Sequence, residues 1–510
     1  MWRSTCVSAE TVPVESGQDE EQGTEGRKGF SRDVLKLVSG TTVSQALVII
    51  ASPILARLFS PEAFGLLAIF TSITKVLGVV SCLRYEFAIM LPEEERDAVN
   101  LLALCCAIVT GISLLTLPVM LFFESAIVTF LNAPGLAGNL WLVAPFVFVT
   151  GLFAALNYWN SRTRRYGRLS VARVVSSVAI TGGQLAAGFG GSATGGALIG
   201  ASAFGQGVAT GVLGAQIYRD DRRRFSRHVS LTGIRSMLVR YRKFPLFESW
   251  SGLLNVSSWQ LPSLLLPVFF SPVQVGYYSL AFRLIVLPMD LIGSAIQQVF
   301  FQRASNAERD GRLGDLTEPV FRILLRIGLF PMLTLALIGR ELFSVVFGTA
   351  WAEAGLYTQL LAVWALVWFI SSPLSTIYMV QEKQGFGLTM NIANFITRFA
   401  AIVAGGLTGS ARLSILLFGV AGIVVYGFLC VRLLMFSGIP ARRTAQIVGK
   451  ALLPFLPVAA LLGALKYAGA PMILPLVVGI GACGLYYLFL LRKDPELREV
   501  FSGIGLPGMR

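Results

Sequence analysis

The sequence predicts an all-α membrane protein made of two related six-helix bundles, with about two further helices at the C-terminal end. Three observations support this fold class. First, 55% of the residues are hydrophobic and only 14% are charged, which a water-soluble protein of 510 residues does not need. Second, the apolar residues form stretches long enough to cross a bilayer. Third, a Phe-Ser-Pro phrase with a glycine four residues after the proline occurs twice, at residues 59–65 and 270–276.

Each copy of this phrase, the Phe-Ser-Pro turn, lies in a short break between two apolar stretches. Weaker echoes follow in the same order. Residues 124–130 and 341–347 both begin with Glu and end with Phe, and a glycine follows nine residues after Tyr158 and again after Tyr378. Chance agreement between apolar segments is the alternative explanation. A duplicated bundle of helices is typical of a membrane transporter.

The number of membrane spans follows from the length of the apolar stretches. About 30 Å of hydrocarbon takes about 20 helical residues, and on that scale the chain holds about fourteen spans. They are predicted at residues 34–58, 62–83, 98–122, 139–159, 169–190, 196–217, 244–268, 273–300, 316–338, 355–380, 387–406, 412–435, 449–466 and 471–491.

The domain organisation follows from the spans and the repeat. Two six-helix bundles are predicted at 34–217 and 244–436, joined by a basic cytoplasmic linker at 218–243. Residues 1–33 are acidic and lack the apolar core of a signal peptide, so they are expected to form a disordered cytoplasmic tail. Residues 437–510 are expected to hold two added spans and a second cytoplasmic tail. Since six crossings return the chain to its starting side, the pseudo-two-fold axis should run along the membrane normal.

The distribution of cations predicts the orientation. The chain has 42 Lys and Arg against 28 Asp and Glu, a formal net charge of +14, and alternate loops such as 162–168, 219–243 and 303–312 hold most of the excess. This bias places both termini in the cytoplasm. The cations therefore favour membrane lipids and exclude nucleic acid as partners. The loops on the other side offer only Arg57, Arg340, Arg412 and Lys466.

The residues of common catalytic and metal sites are not found in the required patterns. The six cysteines form no spacing that zinc or disulfide frameworks use, and His228 is the single histidine. The sequence has no nucleophile with a base and no phosphate-binding glycine loop on a strand-to-helix turn. We therefore expect no enzyme activity, no metal and no cofactor.

Ionisable residues expected at membrane depth predict the functional site. Arg283 and Arg398 are both expected near the bilayer midplane, and Arg57 and Lys75 extend the same column of cations. A central arginine costs at least about 2.5–3.5 kcal/mol on insertion scales, so it should face a wet cavity or a partner. Guanidinium groups match phosphate oxygens. These four residues are therefore predicted to bind a substrate that carries phosphate or carboxylate. The alternative is that the arginines pair with Asp290 or Glu86, or that their side chains snorkel to the membrane surface.

Two acids are candidates for ion coupling. Asp290 and Glu86 are among the few carboxylates expected at depth, where desolvation favours proton binding and a coupling cation, H⁺ or Na⁺, would be held. The alternative for Glu86 is neutralisation by Arg84, two residues earlier.

Several phrases together resemble a known family. Residues 83–92 read LRYEFAIMLP after the second span, residues 276–283 read GYYSLAFR in the eighth, and Phe347-Gly348 and Trp351 follow. Over residues 30–436 the chain resembles the polysaccharide-transport branch of the multidrug/oligosaccharidyl-lipid/polysaccharide (MOP) exporter superfamily, the flippases for O-antigen and exopolysaccharide repeat units.

The resemblance implies a MOP/MATE-like core of twelve helices around a cationic central cavity. It also implies that alternating access moves an undecaprenyl-pyrophosphate-linked oligosaccharide from the cytoplasmic to the periplasmic leaflet, for O-antigen, exopolysaccharide or capsule export. A polysaccharide polymerase and its chain-length machinery are the expected protein partners.

Three alternatives stay open on sequence grounds. An ion-coupled multidrug exporter of the same fold would need buried acids to bind cationic drugs, and buried arginines outnumber them here. A membrane glycosyltransferase or polymerase would call for a large external loop with acids or histidines, whereas the predicted external loops are short. A membrane scaffold without transport would leave the midplane charges unexplained.

Overall fold

The computed structural model describes residues 43–493, and every regular element within that range is helical. The predicted N-terminal tail, the start of the first predicted span and residues after 493 lie outside the described residues. Eleven helical segments are long and apolar enough to cross a membrane, which confirms the predicted polytopic α-helical membrane protein.

The N-terminal bundle is built from six long helices and three short ones. Its chain order is α1 (Val43–Leu58), α2 (Pro61–Val80), α3 (Tyr85–Ala88), α4 (Glu95–Phe122), α5 (Glu124–Phe130), α6 (Val143–Arg162), α7 (Tyr166–Phe189), α8 (Gly195–His228) and α9 (Leu231–Arg240).

The C-terminal bundle has the same arrangement of long helices and is followed by an added helical hairpin. Its chain order is α10 (Ser249–Phe269), α11 (Pro272–Pro288), α12 (Ser294–Arg309), α13 (Leu313–Val346), α14 (Ala352–Leu374), α15 (Thr376–Val380), α16 (Gln384–Leu407), α17 (Ala411–Phe436), α18 (Ala441–Leu452), α19 (Leu456–Tyr467) and α20 (Ile473–Lys493).

The basic segment between the bundles is helical rather than an extended loop. Helix α8 continues past the predicted end of its span to His228, and α9 follows within a few residues. Ion pairs support this extension, since Arg224 lies 3.0 Å from Glu95 and 3.7 Å from Asp221. The helix propensity and pairing of these charged residues give them regular structure.

The Phe-Ser-Pro turn is a helix-start signal. Ser60 has extended backbone geometry, its hydroxyl accepts a hydrogen bond from the Ala63 N–H at 3.2 Å, and Pro61 occupies the first turn of α2. Ser is a preferred N-cap, and proline is well suited to the first turn because its missing N–H is not needed there. Ser271 and Pro272 start α11 with the same backbone geometry, although the Ser271 hydroxyl does not cap.

The two copies of the turn pack directly against each other. Helix α2 of the first bundle contacts α11 and α10 of the second. A methyl group added to Gly65 would lie 1.8 Å from the carbonyl oxygen of Pro272, and one added to Gly276 would lie 1.8 Å from that of Pro61. The contact is therefore reciprocal, as a pseudo-two-fold axis between the bundles requires. We call this part of the molecule the Phe-Ser-Pro end.

Helix α11 changes its geometry in the middle of the eighth predicted span. Pro288 ends the regular α-helix, and Met289–Gly293 form a π-helical turn before α12 begins. A proline removes one backbone hydrogen bond and favours such a widened turn. Asp290 lies in this turn. Its side chain therefore points in a different direction from the one that a continuous α-helix would give it.

Candidate functional site

A cavity of about 720 Å³ lies between the two bundles. Helices α1, α2, α7 and α8 form one side of it, and α10, α11 and α14 form the other. Its volume is in the range of pockets that bind small organic groups.

Three charged residues line this cavity, namely Lys75 of α2, Arg283 of α11 and Asp290 of the π-helical turn. Each of these side chains is accessible even though it lies between the bundles. Within residues 43–493, no carboxylate lies within salt-bridge distance of Lys75 or Arg283. The structure thus brings together three of the six predicted site residues in one cavity.

The rest of the wall combines aromatic rings with neutral polar groups. Trp259 and Trp368 lie 5.2 Å apart between ring centroids, and Phe282 lies 6.3 Å from Trp259. Opposite them are amide and hydroxyl groups of the first bundle, including Gln184 and Ser202. Such a wall offers ring faces for apolar contact and donors and acceptors for hydroxyl groups.

An apolar crevice of about 190 Å³ adjoins the cavity at Arg283. It is formed by α1, α11 and α13, and its walls include Pro53, Leu284 and Leu342. Arg283 borders both spaces. The guanidinium group therefore lies where a polar compartment meets an apolar one.

Contacts between the bundles close the cavity at the Phe-Ser-Pro end. The Trp351 indole N–H donates to the Ala56 carbonyl at 2.6 Å, and the Trp351 ring packs edge-on against Phe64 with centroids 5.1 Å apart. Arg57 is placed here rather than in the cavity, because its Nη2 donates to the Val345 carbonyl at 3.0 Å. In this conformation Arg57 joins the two bundles.

The structure places Arg398 inside the second bundle, and it is not among the residues that line the cavity. Its side chain is almost fully buried, with Nη1 donating to the Ser258 hydroxyl at 3.3 Å and Nη2 to the Tyr426 hydroxyl at 3.2 Å. Its guanidinium carbon lies 4.2 Å from the Trp259 ring centroid, and three further rings surround it. Of the two surroundings expected for a central arginine, a cavity or a partner, Arg398 has partners, because aromatic faces and hydroxyl groups accommodate this cation.

Glu86 also lies away from the cavity, in the short helix α3. Arg84 lies 3.7 Å from one of its carboxylate oxygens, so the two residues form the neutralising pair that was the alternative expectation. Burial nevertheless raises the pKa of Glu86, and this effect outweighs the opposite effect of Arg84. The Arg84 side chain reaches across to the second bundle, where a methyl group on Gly252 would lie 2.2 Å from its Nη2.

Sequence reasoning did not identify the aromatic wall or the polar groups opposite it. Trp259 and Trp368 lie in apolar spans, where a tryptophan is most often a packing residue. The signal that was available is the polar character of α10, which carries Ser258, Gln260 and Ser263 within a predicted span. For metals, the described residues contain no cluster of three or more His, Cys, Asp or Glu side chains.

Comparisons with known proteins agree with this architecture. The structure of the lipid II flippase MurJ in an inward closed conformation matches with a TM-score of 0.65 at 13% identity, over 89% of this chain and 98% of that chain. An inward-facing multidrug resistance MATE family transporter of the MOP superfamily matches with a TM-score of 0.56 at 15% identity, over 79% of this chain and 99% of that one. These likenesses confirm the predicted MOP/MATE-like fold. A sequence search of curated proteins gave no match.

A family model described as polysaccharide biosynthesis protein matches residues 54–355, which is more than half of the chain. The two solved structures are described as a lipid II flippase and a multidrug resistance transporter. The chain therefore belongs to the polysaccharide biosynthesis protein family and has a MOP/MATE-like fold.

Proposed function

We propose that this protein is a flippase that moves an undecaprenyl-pyrophosphate-linked oligosaccharide across the bacterial cytoplasmic membrane, for O-antigen, exopolysaccharide or capsule export. The observation that carries the proposal is the position of Lys75 and Arg283 in the cavity between the bundles, without carboxylate partners in the described chain. Two unpaired cations between low-dielectric walls attract an anionic group strongly.

The three parts of such a substrate match three parts of the site. The pyrophosphate fits the two cations, since guanidinium and ammonium groups both bind phosphate oxygens. The sugars fit the wall of aromatic rings, amides and hydroxyls around Trp259 and Gln184. The isoprenoid chain fits the apolar crevice, which begins at Arg283 and is lined by aliphatic residues.

Alternating access then follows from the closed Phe-Ser-Pro end. Positive-inside topology assigns this end to the periplasmic side, so the cavity would receive substrate from the cytoplasmic leaflet in this conformation. The MurJ and MATE structures compared above are both described as inward states. Separation of the bundles at Gly65 and Gly276 would open the periplasmic side.

For coupling to H⁺ or Na⁺, the proposal rests on Asp290 rather than Glu86. Asp290 lines the cavity, and its π-helical turn lies on the helix that also carries Arg283. Glu86 is paired with Arg84 outside the cavity. A cation bound at Asp290 would change the local charge at the end of α11, the helix that packs against the first bundle.

The proposal is tested by replacing Arg283 with Ala in a strain whose surface polysaccharide depends on this protein. Loss of a charge-assisted hydrogen bond is worth about 1.5–3 kcal/mol, so binding of undecaprenyl pyrophosphate to the purified variant should weaken about 10- to 150-fold. Export should fall while the protein stays in the membrane. The matched control is Arg303→Ala, which removes an exposed cation from the adjoining helix α12. Wild-type export and binding in both Arg283→Ala and Lys75→Ala would refute the proposed role of the cavity.

The second candidate is an ion-coupled multidrug exporter. One observation favours it, namely that the exposed carboxylate of Asp290 lies in a cavity with aromatic walls, a setting suited to organic cations. The two candidates differ in ligand charge. The exporter is favoured if a lipophilic cation binds the purified protein, binds Asp290→Asn more weakly and binds Arg283→Ala more tightly. Selective binding of the pyrophosphate favours the flippase.

A further inference from the structure

A second, smaller cavity of about 300 Å³ lies outside the bundle interface, between α13 and α18. Cationic side chains from both helices line it, and none of its lining residues belongs to the central cavity. We call it the basic pocket. Its walls include Arg322, Arg326, Arg443, Gln446, Ile447 and Lys450.

The charges of the basic pocket are only partly balanced. The Glu318 carboxylate lies between two arginines, 2.5 Å from Arg322 Nη2 and 2.8 Å from Arg443 Nη2. One carboxylate thus faces two guanidinium groups, and each arginine side chain is more than a third exposed, at 40% and 47%. Lys450 adds another cation and forms no ion pair with a described residue. This arrangement holds two arginine forks in position and leaves donors directed at the pocket.

The pocket lies at the level of the lipid head groups. Helix α13 has 34 residues, about 51 Å at 1.5 Å per residue, and is therefore longer than the roughly 30 Å hydrocarbon core. Its charged first part, with Glu318 and Arg322, extends beyond that core. Helix α18 is amphipathic, with Arg443 and Lys450 on its polar side and Ile447 buried. A helix of this kind lies in the membrane interface, and the positive-inside rule places this interface on the cytoplasmic side.

We propose that the basic pocket binds the phosphate head group of a lipid in the cytoplasmic leaflet. Basic pockets between membrane helices at this level are suited to anionic head groups. The Gln446 amide adds a donor beside the cations. The acyl or prenyl chains would then lie along the apolar surface of the added hairpin, which exposes Leu456, Leu461, Val477 and Ile480. The source of the phosphate is either an anionic phospholipid of the leaflet or a polyprenyl pyrophosphate, and binding in the pocket does not depend on the proposed function.

The test measures lipid binding to the purified full-length protein by native mass spectrometry or fluorescence titration. The probes are phosphatidylglycerol, cardiolipin, undecaprenyl pyrophosphate and, as the zwitterionic reference, phosphatidylcholine. The test variant is Arg443→Gln with Lys450→Gln, which leaves Arg322 to pair with Glu318. The matched control is Arg442→Gln with Arg235→Gln, which removes two exposed cations that do not line the pocket.

We expect the test variant to bind anionic lipids about 30-fold more weakly at low salt, the control to change less than about threefold, and phosphatidylcholine binding to be unaffected. If the test variant loses affinity mainly for phospholipid, the pocket holds a resident lipid. If, in a background with Arg283→Ala, it loses affinity mainly for undecaprenyl pyrophosphate, the pocket is a second substrate site. If the double variant does not fold, Lys450→Gln alone should show about a fivefold loss. Equal affinities of test and control variants for every anionic lipid would overturn the proposal.

Discussion

The reciprocal glycine contact predicts that a single methyl group will prevent closure of the Phe-Ser-Pro end. In Gly65→Ala, the new Cβ would lie 1.8 Å from the Pro272 carbonyl oxygen, whereas Cβ contacts below 3.0 Å essentially never occur. The obstructing atom belongs to the backbone, so no side-chain rotation relieves the clash. Helices α2 and α11 must therefore move apart. Overpacking of this kind costs about 1–3 kcal/mol.

This cost falls on the closed conformation alone, since the contact is absent once the bundles separate. A difference of about 1–3 kcal/mol shifts the equilibrium toward the open form about 5- to 150-fold. Gly276→Ala should have an equal effect, because its Cβ meets the Pro61 carbonyl at the same 1.8 Å. The double variant should shift the equilibrium by less than the sum of both, since one separation relieves both clashes.

The measurement is the distance distribution between spin labels at Glu62→Cys and Ala350→Cys, two exposed positions on opposite bundles at this end. The native cysteines are replaced first. Both glycine variants should move the distribution to longer distances and reduce export. The control is Gly78→Ala on the same helix, where the new methyl group has no neighbour within 4 Å. An unchanged distribution in Gly65→Ala, or the same change in Gly78→Ala, would refute the reasoning.

Three further predictions concern single side chains. Trp351→Phe removes the hydrogen bond to Ala56 and should weaken the closed end by about 1 kcal/mol, measured as a shift of the same spin-label distribution in the direction of Gly65→Ala. Arg398→Ala should lower the thermal midpoint of the purified protein by several degrees, because it empties a buried cation site. Lys75→Ala should keep the midpoint of the wild type and bind pyrophosphate more weakly. The reverse pattern would contradict the placement of Arg398 inside the second bundle and of Lys75 in the cavity. The folded-state pKa of Glu86 is raised above its ordinary 4.5. The contribution of Glu86 to the free energy of unfolding is therefore lost as the pH rises from about 4.5 through the raised pKa. Glu86→Gln should make the thermal midpoint less dependent on pH over that range.

The helices and their order were predictable because each signal is local. Apolar length, the Ser-Pro helix start and the concentration of cations in alternate loops depend only on neighbouring residues. The duplicated turn also predicted two equivalent hairpins. It did not predict that the two copies contact each other, since the contact depends on how the bundles are oriented. The same limit applies to the weaker echoes, because residues 124–130 form the separate helix α5 whereas residues 341–346 are the last residues of α13.

For the candidate site, the sequence likewise predicted the depth of a side chain in the membrane but not the direction in which that side chain points. Counting residues along a helix placed both Arg283 and Arg398 near mid-membrane, but depth does not specify which neighbour a side chain faces. Arg283 lines the cavity, whereas Arg398 lies behind Trp259 in a ring of aromatic side chains. Those rings come from helices far apart in sequence, so the polar contacts that accommodate Arg398 exist only in the folded bundle.

On the proposed function, a phosphate bound in the cavity would contact both bundles. Lys75 of the first bundle and Arg283 of the second carry like charges and line the same cavity, and the reciprocal contact at Gly65 and Gly276 holds the bundles together at the Phe-Ser-Pro end. A phosphate bound between the two cations replaces repulsion by attraction to both bundles. A ligand shifts a conformational equilibrium only through its different affinity for the two states. The substrate is therefore expected to favour whichever conformation brings Lys75 and Arg283 nearest.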